Sequence, residues 1–350
     1  MEKNVFQEIN ILTFRSSFLK RLGINMEKIN IVFITDENYF DFFLVSLKSL
    51  LDKTNSEVVI RVVLTFPINE TAEKAEEEIK RVYKNAEFTY CFFDEDIYLN
   101  DIKSKNHVSK AAYAKIFLPN ILDDINKVIF LDSDILVEDD IKKLWNCFNN
   151  GSFTIGAVWN PGYDQDNKIL GLDAKAKTFN SGVMLMNLKE MRIKQDTLNL
   201  KKFIDEKNSS TYLNDQAAFN YVYAKNWYEL PLRWNTQYHL FYRSNKYLNI
   251  SKYDYNKLIH NPGIIHFTSK SKPWQRRNAH PYKANFLAYY NKEEAKKNYI
   301  NDSMTHLYEA ITIRTKFDIN WYLKKKLKLR NLKKVGIRRE LSKVIKAKGN

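Results

Sequence analysis

The sequence predicts an α/β fold in which a mixed, mostly parallel, Rossmann-like sheet is flanked by helices. Two observations carry this prediction. Short β-branched runs alternate with segments of helical periodicity over the first hundred residues, which is typical of parallel strands joined by right-handed crossovers. In addition, no internal repeat or Pro-rich linker divides the 350 residues, whose 44% hydrophobic content suffices for one extended domain.

The first half of the chain predicts four strands separated by helices. Residues Ile29–Thr35 read INIVFIT, a continuous apolar run typical of a buried strand, and Phe and Leu then recur at helical spacing over 40–51. Further elements are expected as strands at 58–65, 88–93 and 127–132, helices at 69–83 and 109–117, and a polar loop at 94–106. The strand 127–132 would be central in the sheet, where ligands bind beyond the carboxyl ends of the strands.

The second half of the chain alternates less regularly, which predicts a mixed sheet. Its expected elements are strands at 152–159, 183–188, 227–230 and 263–267, and helices at 200–206 and 214–224. Residues 1–28 are expected to form a peripheral N-terminal extension, because convincing strand signals begin only at Ile29. Glu2 and Glu8 make this extension a poor signal peptide.

Two aspartates, Asp132 and Asp134, follow the strand 127–132 directly in the sequence FLDSDILV. Taken alone, they are more simply interpreted as a solvated turn. However, alternate side chains of an extended backbone point to one side, so both carboxylates can reach one hard cation. Asp36 also follows a strand, and acidic strand ends of one sheet can face one crevice. A divalent cation held there would neutralise a diphosphate.

His266, at the end of the strand 263–267, is the best candidate for a third ligand, although a hydrogen-bonded strand-end histidine is an equal alternative. Imidazole beside two carboxylates favours Mn²⁺ over Ca²⁺. Residues 268–274, TSKSKPW, suit either a phosphate or a solvated loop. Asp215 either serves the site or complements a helix dipole, and residues 180–182 either serve it or form a turn.

Missing motifs exclude several classes of enzyme and site. None of the nine glycines forms G-x-G-x-x-G, and the spacing of Gly151 and Gly156 is not followed by Lys and Ser or Thr. Dinucleotide oxidoreductases and P-loop nucleotidases are therefore disfavoured. Only Cys91 and Cys147 are present, so there is no disulfide framework or cysteine-based metal site, which fits a reducing compartment.

In this order and spacing the motifs resemble glycosyltransferase family 8, whose retaining enzymes have the GT-A fold and include bacterial lipopolysaccharide galactosyl- and glucosyltransferases and glycogenin. The resemblance covers about residues 29–274. It rests on Asp36-Glu37-Asn38-Tyr39, on HVSKAAYAK at 107–115, on Asp132-Ser133-Asp134, on FNSGV at 179–183 with Asn187-Leu188, on Asp215-Gln216, and on HFTSKSKPW at 266–274.

This resemblance implies roles for the residues that match the motifs. Asp132, Asp134 and His266 would hold Mn²⁺, or alternatively Mg²⁺, against the diphosphate of a UDP-sugar. Asp215 and Gln216 would be catalytic, with Gln216 near the anomeric face. The nucleotide- and donor-binding residues would be Ile34, Asp36, Asn38, His107, Lys115, Ser133, Asn160, Asn180, Ser181, Asp215, Gln216, Ser269 and Lys272.

Three positions depart from the pattern of this family. Lys115 stands where the bacterial galactosyltransferases usually carry Arg, so a bidentate contact becomes a point charge. Ser269 replaces a usual Gly, which changes how closely the backbone can approach a phosphate. Asn160 stands where an acidic residue can occur.

The resemblance implies a retaining hexosyltransferase that moves galactose or glucose from a UDP-sugar to a glycan or lipid-linked saccharide, in lipopolysaccharide or other surface glycan synthesis. Retention by double displacement would need a carboxylate nucleophile, for which Asp215 is the nearby acid; front-face attack is the favoured alternative. Two other functional classes stay open from the residues themselves. A sugar nucleotidyltransferase shares the acid pair, and a nucleic-acid binder would use the basic tail.

The net charge of +15 is concentrated at the C-terminus. Residues 321–350 contain twelve Lys or Arg and one acid, a net of +11, which leaves about +4 for the remaining residues. Residues 291–350 are therefore expected to form a helical, basic region that docks on an anionic membrane. No apolar run approaches the ~18 residues of a membrane span. A bacterial enzyme that is cytoplasmic and peripheral on the inner face of the cell membrane is expected, without nucleic acid as partner.

Overall fold

A computed structural model describes residues 28–99, 110–162, 167–207, 215–224, 226–275 and 278–290. The strands are β1 (Ile29–Thr35), β2 (Val58–Leu64), β3 (Ala86–Phe92), β4 (Lys127–Leu131), β5 (Ile135–Val137), β6 (Ile155–Trp159), β7 (Phe179–Asn187), β8 (Trp227–Leu230), β9 (Thr236–Gln237) and β10 (Ile264–His266). Short 3₁₀ helices span Glu37–Tyr39, Asn146–Asn150, Leu232–Asn235, Tyr238–Phe241 and Asn245–Leu248.

The α-helices lie between these strands. They are α1 (Phe40–Lys53), α2 (Glu70–Val82), α3 (Glu95–Tyr98), α4 (Lys110–Ile116), α5 (Leu118–Ile121), α6 (Lys142–Trp145), α7 (Asn167–Leu170), α8 (Leu188–Ile193), α9 (Asp196–Lys207), α10 (Asp215–Tyr223), α11 (Lys252–His260) and α12 (Lys283–Tyr289). The alternation of strand and helix that the sequence predicts over the first hundred residues is confirmed.

The main sheet has seven strands in the order β3-β2-β1-β4-β7-β6-β8. Neighbouring strands are parallel except for β7, which runs antiparallel to both β4 and β6. The predicted mixed, mostly parallel sheet is therefore confirmed. Strand β4 occupies the central position, so the residues that follow it reach the middle of the carboxyl edge, as expected.

Helices cover both faces of the sheet, which explains why β1 reads as a continuous apolar run. Ile31 and Phe33 pack on one face, where the Phe33 ring meets the ring of Phe43 from α1 at 5.2 Å between centroids. Val32 and Ile34 belong to the hydrophobic cluster of the opposite face, which includes α4. These four side chains of β1 are all buried, so the strand is packed on both faces.

A second sheet of three short strands, in the order β5-β10-β9, positions the residues after β4. Strand β10 runs antiparallel to β5, with His266 opposite Ile135, and parallel to β9. The backbone N–H of Phe267 donates to the carbonyl of Asp134 over 3.0 Å. This pairing brings a histidine and an aspartate that are distant in sequence to adjacent backbone positions.

Two sequence-based boundaries are wrong, each for a local reason. Residues Glu95–Tyr98 form helix α3 inside the predicted polar loop, because the Asp94 carboxylate caps it by accepting from the backbone N–H of Asp96 over 2.9 Å. Strand β7 begins at Phe179 rather than at 183, because Trp159 and Val158 of β6 pair with Phe179 and Asn180 across a register shift. Residues 180–182 are thus part of a strand and not a turn.

Several predicted regions lie outside the described residues. These are residues 1–27 of the predicted N-terminal extension and the whole basic region 291–350, so both domain assignments stay predictions. Within the described part of the chain, no helix combines the length and apolar character needed to cross a membrane.

Candidate functional site

The candidate site lies at the carboxyl edge of the central strands. Asp132 and Asp134 follow β4, and His266 ends β10 beside them. Strand β7, which pairs with β4, contributes Gly182, whose carbonyl accepts from the backbone N–H of Asp132 over 2.8 Å. Three segments that are distant in sequence therefore converge, as the positions of ligand sites in such sheets lead us to expect.

Asp132, Asp134 and His266 form a cluster suited to a metal ion. His266 Nε2 lies 3.5 Å from Asp132 Oδ2 and 3.1 Å from Asp134 Oδ1. One ligand atom from each residue lies within 4.8 Å of the others. Two carboxylate oxygens and one imidazole nitrogen are a ligand set that Mn²⁺ accepts readily.

Gly182 leaves the space that this cluster occupies. A Cβ atom at this position would lie 2.1 Å from His266 Cε1 and 2.6 Å from Asp132 Oδ2. Both separations are far below van der Waals contact, so any side chain here would displace two of the candidate ligands. The glycine, the two carboxylates and the imidazole together fit a bound divalent cation.

The buried Lys115 and the partly buried Lys272 neutralise the carboxylates of this site. Lys272 Nζ lies 2.6 Å from Asp134 Oδ2 and also donates to the carbonyl of Phe267 over 2.6 Å. Lys115 Nζ lies 2.6 Å from Asp215 Oδ2 and 3.3 Å from Asp132 Oδ1. Three carboxylates thus face two ammonium groups.

These charges shift the pKa values of the site. Burial alone would raise the pKa of Asp134, but Lys272 and His266 outweigh it and hold that pKa well below its usual range. For Asp132 burial prevails over Lys115 and His266, so its pKa is raised. Burial would lower the pKa values of Lys115 and Lys272, yet the neighbouring carboxylates raise both. The lysines are therefore charged.

Asp215 and Gln216 open helix α10, which packs against β7. Asp215 Oδ2 accepts from the Ser181 hydroxyl over 3.1 Å, and Gln216 Oε1 accepts from Asn180 Nδ2 over 3.0 Å. Asn220, one turn along α10, binds the backbone of Phe179 in both directions, with its Oδ1 accepting and its Nδ2 donating. These two hydrogen bonds of the Asn220 side chain align the first turn of α10 with the residues of β7 that face the site.

The turn after β1 is tied to the loop that carries Lys272. Asp36 caps the 3₁₀ helix Glu37–Tyr39, because its Oδ1 accepts from the backbone N–H of Tyr39 over 2.9 Å. The Tyr39 ring meets that of Trp274 at 5.8 Å between centroids, and the Phe42 ring stacks on Trp274 at 3.6 Å. Burial raises the pKa of Tyr39, which is therefore a neutral phenol beside the site.

The structure brings most of the predicted site residues together. Direct contacts join the following: Asp132, Asp134, His266, Lys115, Lys272, Ser181 and Asp215. Asn180 and Gln216 contact each other, and the Ser133 hydroxyl donates to the carbonyl of Ile34 over 2.9 Å. The functional roles of all these residues stay predictions.

Four further predicted residues lie within the described part of the chain. Asp36 binds its own turn, Asn38 is exposed, and the Ser269 hydroxyl accepts from the backbone N–H of Ser271 over 3.1 Å. Asn160 follows β6 and is buried, and its Oδ1 has no hydrogen-bond partner in the described structure. His107 lies outside the described residues.

Sequence reasoning missed Asn235. This fully buried residue ends the 3₁₀ helix Leu232–Asn235, and its Oδ1 lies 3.0 Å from His266 Nδ1. One signal was available: residues 235–237, NTQ, form a polar run between Trp234 and Tyr238. All three are buried, and buried polar side chains need hydrogen-bond partners within the protein.

The chain is similar in sequence to known proteins over most of its length. The model of glycosyl transferase family 8 matches residues 30–278. General stress protein A of Bacillus subtilis (strain 168) is 30% identical over 269 residues, which cover 75% of this chain and 93% of that protein. Probable galacturonosyltransferase-like 8 of Arabidopsis thaliana is 31% identical over 219 residues. The match covers 57% of this chain and about half (53%) of that relative.

The fold is similar to that of solved glycosyltransferases. The crystal structure of the galactosyltransferase LgtC in complex with donor and acceptor sugar analogues superposes with a TM-score of 0.62, covering 79% of this chain and 98% of that one. The two are 21% identical, so this likeness concerns the fold. From the family match over residues 30–278 and the near-complete coverage of a 30% identical relative, we conclude that the chain belongs to glycosyltransferase family 8 and has the GT-A fold.

Proposed function

We propose that the protein is a metal-dependent, retaining hexosyltransferase that moves galactose or glucose from a UDP-sugar to a glycan or lipid-linked saccharide. The observation that carries the proposal is the cluster of Asp132, Asp134 and His266, flanked by two lysines at the carboxyl edge of the sheet. Membership of family 8 supports a sugar transferase over a sugar nucleotidyltransferase or a nucleic-acid binder.

Asp132, Asp134 and His266 would hold Mn²⁺, with Mg²⁺ as the alternative. When bound, the ion supplies Lewis-acid neutralisation of the diphosphate leaving group. The ammonium group of Lys272 lies at the end of a long, flexible side chain and contacts Asp134. When a cation neutralises Asp134, this ammonium group would be free to bind a phosphate oxygen. The loop that carries Lys272 would thus receive the diphosphate.

We infer front-face attack from the environment of Asp215. Its Oδ2 is held by Lys115 at 2.6 Å and by the Ser181 hydroxyl at 3.1 Å, so a nucleophilic carboxylate would have to break a buried ion pair. In the alternative, the acceptor hydroxyl forms a bond to the anomeric carbon from the face that the diphosphate leaves. The carbon–oxygen bond to phosphate breaks, and the hydroxyl proton passes to the departing phosphate oxygen.

Gln216 is suited to orient the sugar in this step. Its Oε1 is engaged by Asn180 Nδ2 and by the backbone N–H of Ser181 at 3.3 Å. The side-chain NH₂ group of Gln216 therefore remains available to donate to the sugar or to the departing oxygen. Asn180 and Ser181 hold this amide in one orientation.

The C-terminal charge supports a cellular setting for this activity. A net charge of +11 over residues 321–350, mixed with leucines and valines, suits docking on an anionic membrane at about 1 kcal/mol per basic residue. We propose a bacterial enzyme of lipopolysaccharide or other surface glycan synthesis. It would be cytoplasmic and peripheral on the inner face of the cell membrane.

The proposed activity is tested by incubating the protein with Mn²⁺ and a panel of UDP-sugars and measuring the release of UDP. We expect slow hydrolysis of UDP-galactose or UDP-glucose, because enzymes of this kind transfer sugar to water when no acceptor is present. The panel also identifies the donor. Failure to hydrolyse any member, with Mn²⁺ or with Mg²⁺, would contradict the proposal.

A further inference from the structure

Asn235 lies at the centre of a chain of hydrogen bonds that connects the metal cluster to the donor side of the site. Its Oδ1 lies 3.0 Å from His266 Nδ1, and its Nδ2 donates to Asn180 Oδ1 over 2.8 Å. Asn180 Nδ2 donates in turn to Gln216 Oε1. Asn235 has no exposed surface, so water does not compete for these bonds.

Two backbone N–H groups of β7 determine the direction of every bond in this chain. The N–H of Gly182 lies 3.0 Å from the Asn180 oxygen, and a backbone N–H can only donate. The Asn180 atom at this position must therefore be Oδ1, and the Asn235 atom that faces it must be Nδ2. The N–H of Ser181 defines Gln216 Oε1 in the same way. No amide in the chain can be reversed without placing two donors face to face.

This direction determines the tautomer of His266. Because Asn235 presents its Oδ1 to the ring, Nδ1 must carry a hydrogen and donate it. The neutral imidazole then has its lone pair on Nε2, the atom that lies 3.1 Å from Asp134 Oδ1 and 3.5 Å from Asp132 Oδ2. In this tautomer a cation placed between Nε2 and the two carboxylates would gain three ligands.

We propose that Asn235 is a positioning residue, which holds His266 in the metal-ligating tautomer and couples it through Asn180 to Gln216. The inference rests on the proposed function. It goes further by making one buried amide responsible for both sides of the site. The Oδ1 of Asn235 would serve the metal cluster, and its Nδ2 would serve the donor side.

Two substitutions separate these two bonds. Asn235→Leu has a similar shape and removes both. Asn235→Asp keeps an acceptor for His266 Nδ1 but can no longer donate to Asn180 Oδ1. Asn85→Leu is the control, because the Asn85 amide likewise makes two hydrogen bonds, in its case from Nδ2 to the backbone carbonyls of Thr54 and Ser56 at 3.0 Å each, away from the site.

Three measurements on the full chain test the proposal. The ¹⁵N spectrum of histidine-labelled, metal-free protein, recorded at alkaline pH where imidazole is neutral and with His266→Gln used to assign the signal, reports the tautomer. Calorimetric titration with Mn²⁺ reports cation affinity. Steady-state kinetics with the donor that the UDP-sugar panel selects separate kcat from KM.

We expect the Nδ1-protonated tautomer in the wild-type protein and in Asn235→Asp, and its loss in Asn235→Leu. Mn²⁺ affinity should fall about 10-fold to 100-fold in Asn235→Leu. It should persist in Asn235→Asp, whose kcat falls because Asn180 and Gln216 lose their orientation. Asn85→Leu should match the wild-type protein in all three measurements.

The proposal is overturned if Asn235→Leu retains the tautomer and the Mn²⁺ affinity of the wild-type protein. It is also overturned if both Asn235 variants lose Mn²⁺ equally, since the two bonds would then have no separate roles. A wild-type protein that hydrolyses UDP-sugars while His266 is Nε2-protonated would remove this inference and leave the proposed function standing. A wild-type protein with the expected tautomer but no UDP-sugar hydrolysis would contradict the proposed function and leave the role of Asn235 in setting the tautomer standing.

Discussion

Lys115 Nζ lies 2.6 Å from Asp215 Oδ2, although the two residues are 100 positions apart in the sequence. Both side chains are largely buried, and the same ammonium group lies 3.3 Å from Asp132 Oδ1. One lysine therefore compensates an acid of the metal cluster and an acid of the donor side. Its pKa is raised by these carboxylates in spite of burial.

Replacement of Lys115 by Met should be strongly destabilising. Two carboxylates would be left in a buried site without their cation, which costs about 3 kcal/mol or more. Lys115→Arg should retain the pairing, since guanidinium also binds carboxylates. Chemical denaturation of the metal-free protein measures the difference. The control is Lys143→Met, which breaks an exposed pair with Asp139 and should cost less than about 1 kcal/mol; equal losses for Met at both positions would contradict the account.

Gly182→Ala should strongly weaken binding of the cation. The added Cβ would lie 2.1 Å from His266 Cε1, so the imidazole would have to leave its place beside Asp132. We expect Mn²⁺ affinity to fall by about 100-fold, which is the upper end of the loss seen when a residue that supports a metal ligand is removed. Calorimetric titration measures the affinity, and a thermal melt establishes that the variant is folded. Wild-type Mn²⁺ affinity in a folded Gly182→Ala protein would show that the three residues are not the ligands.

Trp274→Ala should weaken donor binding more than it slows turnover. The Trp274 ring stacks on Phe42 with an angle of 7° between the planes, and Trp274 lies two residues beyond Lys272. Without this anchor the loop would present Lys272 less often, so KM for the UDP-sugar should rise about tenfold, equivalent to about 1.4 kcal/mol. Trp274→Phe should largely restore it. A fall in kcat at unchanged KM would argue against a role for the stack in donor binding.

His239 should make the protein less stable in mild acid. Burial, followed by the charge of Arg243, lowers its pKa from 6.5 to about 4. The folded state therefore binds a proton less readily than the unfolded chain. The stabilising contribution is complete above pH 6.5, falls as the pH drops towards 4, and amounts to about 3 kcal/mol at most. Denaturation between pH 7 and 4 should show a steeper decline for the wild-type protein than for His239→Gln; parallel curves would contradict this role.

Local patterns were enough to predict the main sheet. The strands β1, β2 and β4 are buried on both faces, and each reads as a short, largely apolar run rich in Val and Ile, which favours a buried strand. Asp132 and Asp134 follow β4 without an intervening loop, so their place at the sheet edge followed from that of the strand. The family motifs extended this to His266 and Lys272.

Long-range pairing, in contrast, could not be predicted from local patterns. Residues 180–182 are compatible with a turn by composition, and only pairing with β6 makes them a strand. The sequence predicts strand β10 at 263–267, but neither its pairing with β5 nor the two-residue strand β9 has a local signal. The polar run 235–237 indicates a need for partners without identifying them, because the partners of Asn235, His266 and Asn180, lie 31 and 55 positions away.

The central claim is that Asp132, Asp134 and His266 hold a divalent cation on which UDP-sugar turnover depends. The most direct measurement is the rate of UDP release before EDTA treatment, after it, and after Mn²⁺ is restored, in the wild-type protein, Asp134→Asn and the control Asp140→Asn. We predict that EDTA abolishes the rate, that Mn²⁺ restores it in the wild-type and control proteins, and that Asp134→Asn remains about 100-fold slower. A full rate in EDTA, or an unimpaired Asp134→Asn protein, would contradict the claim.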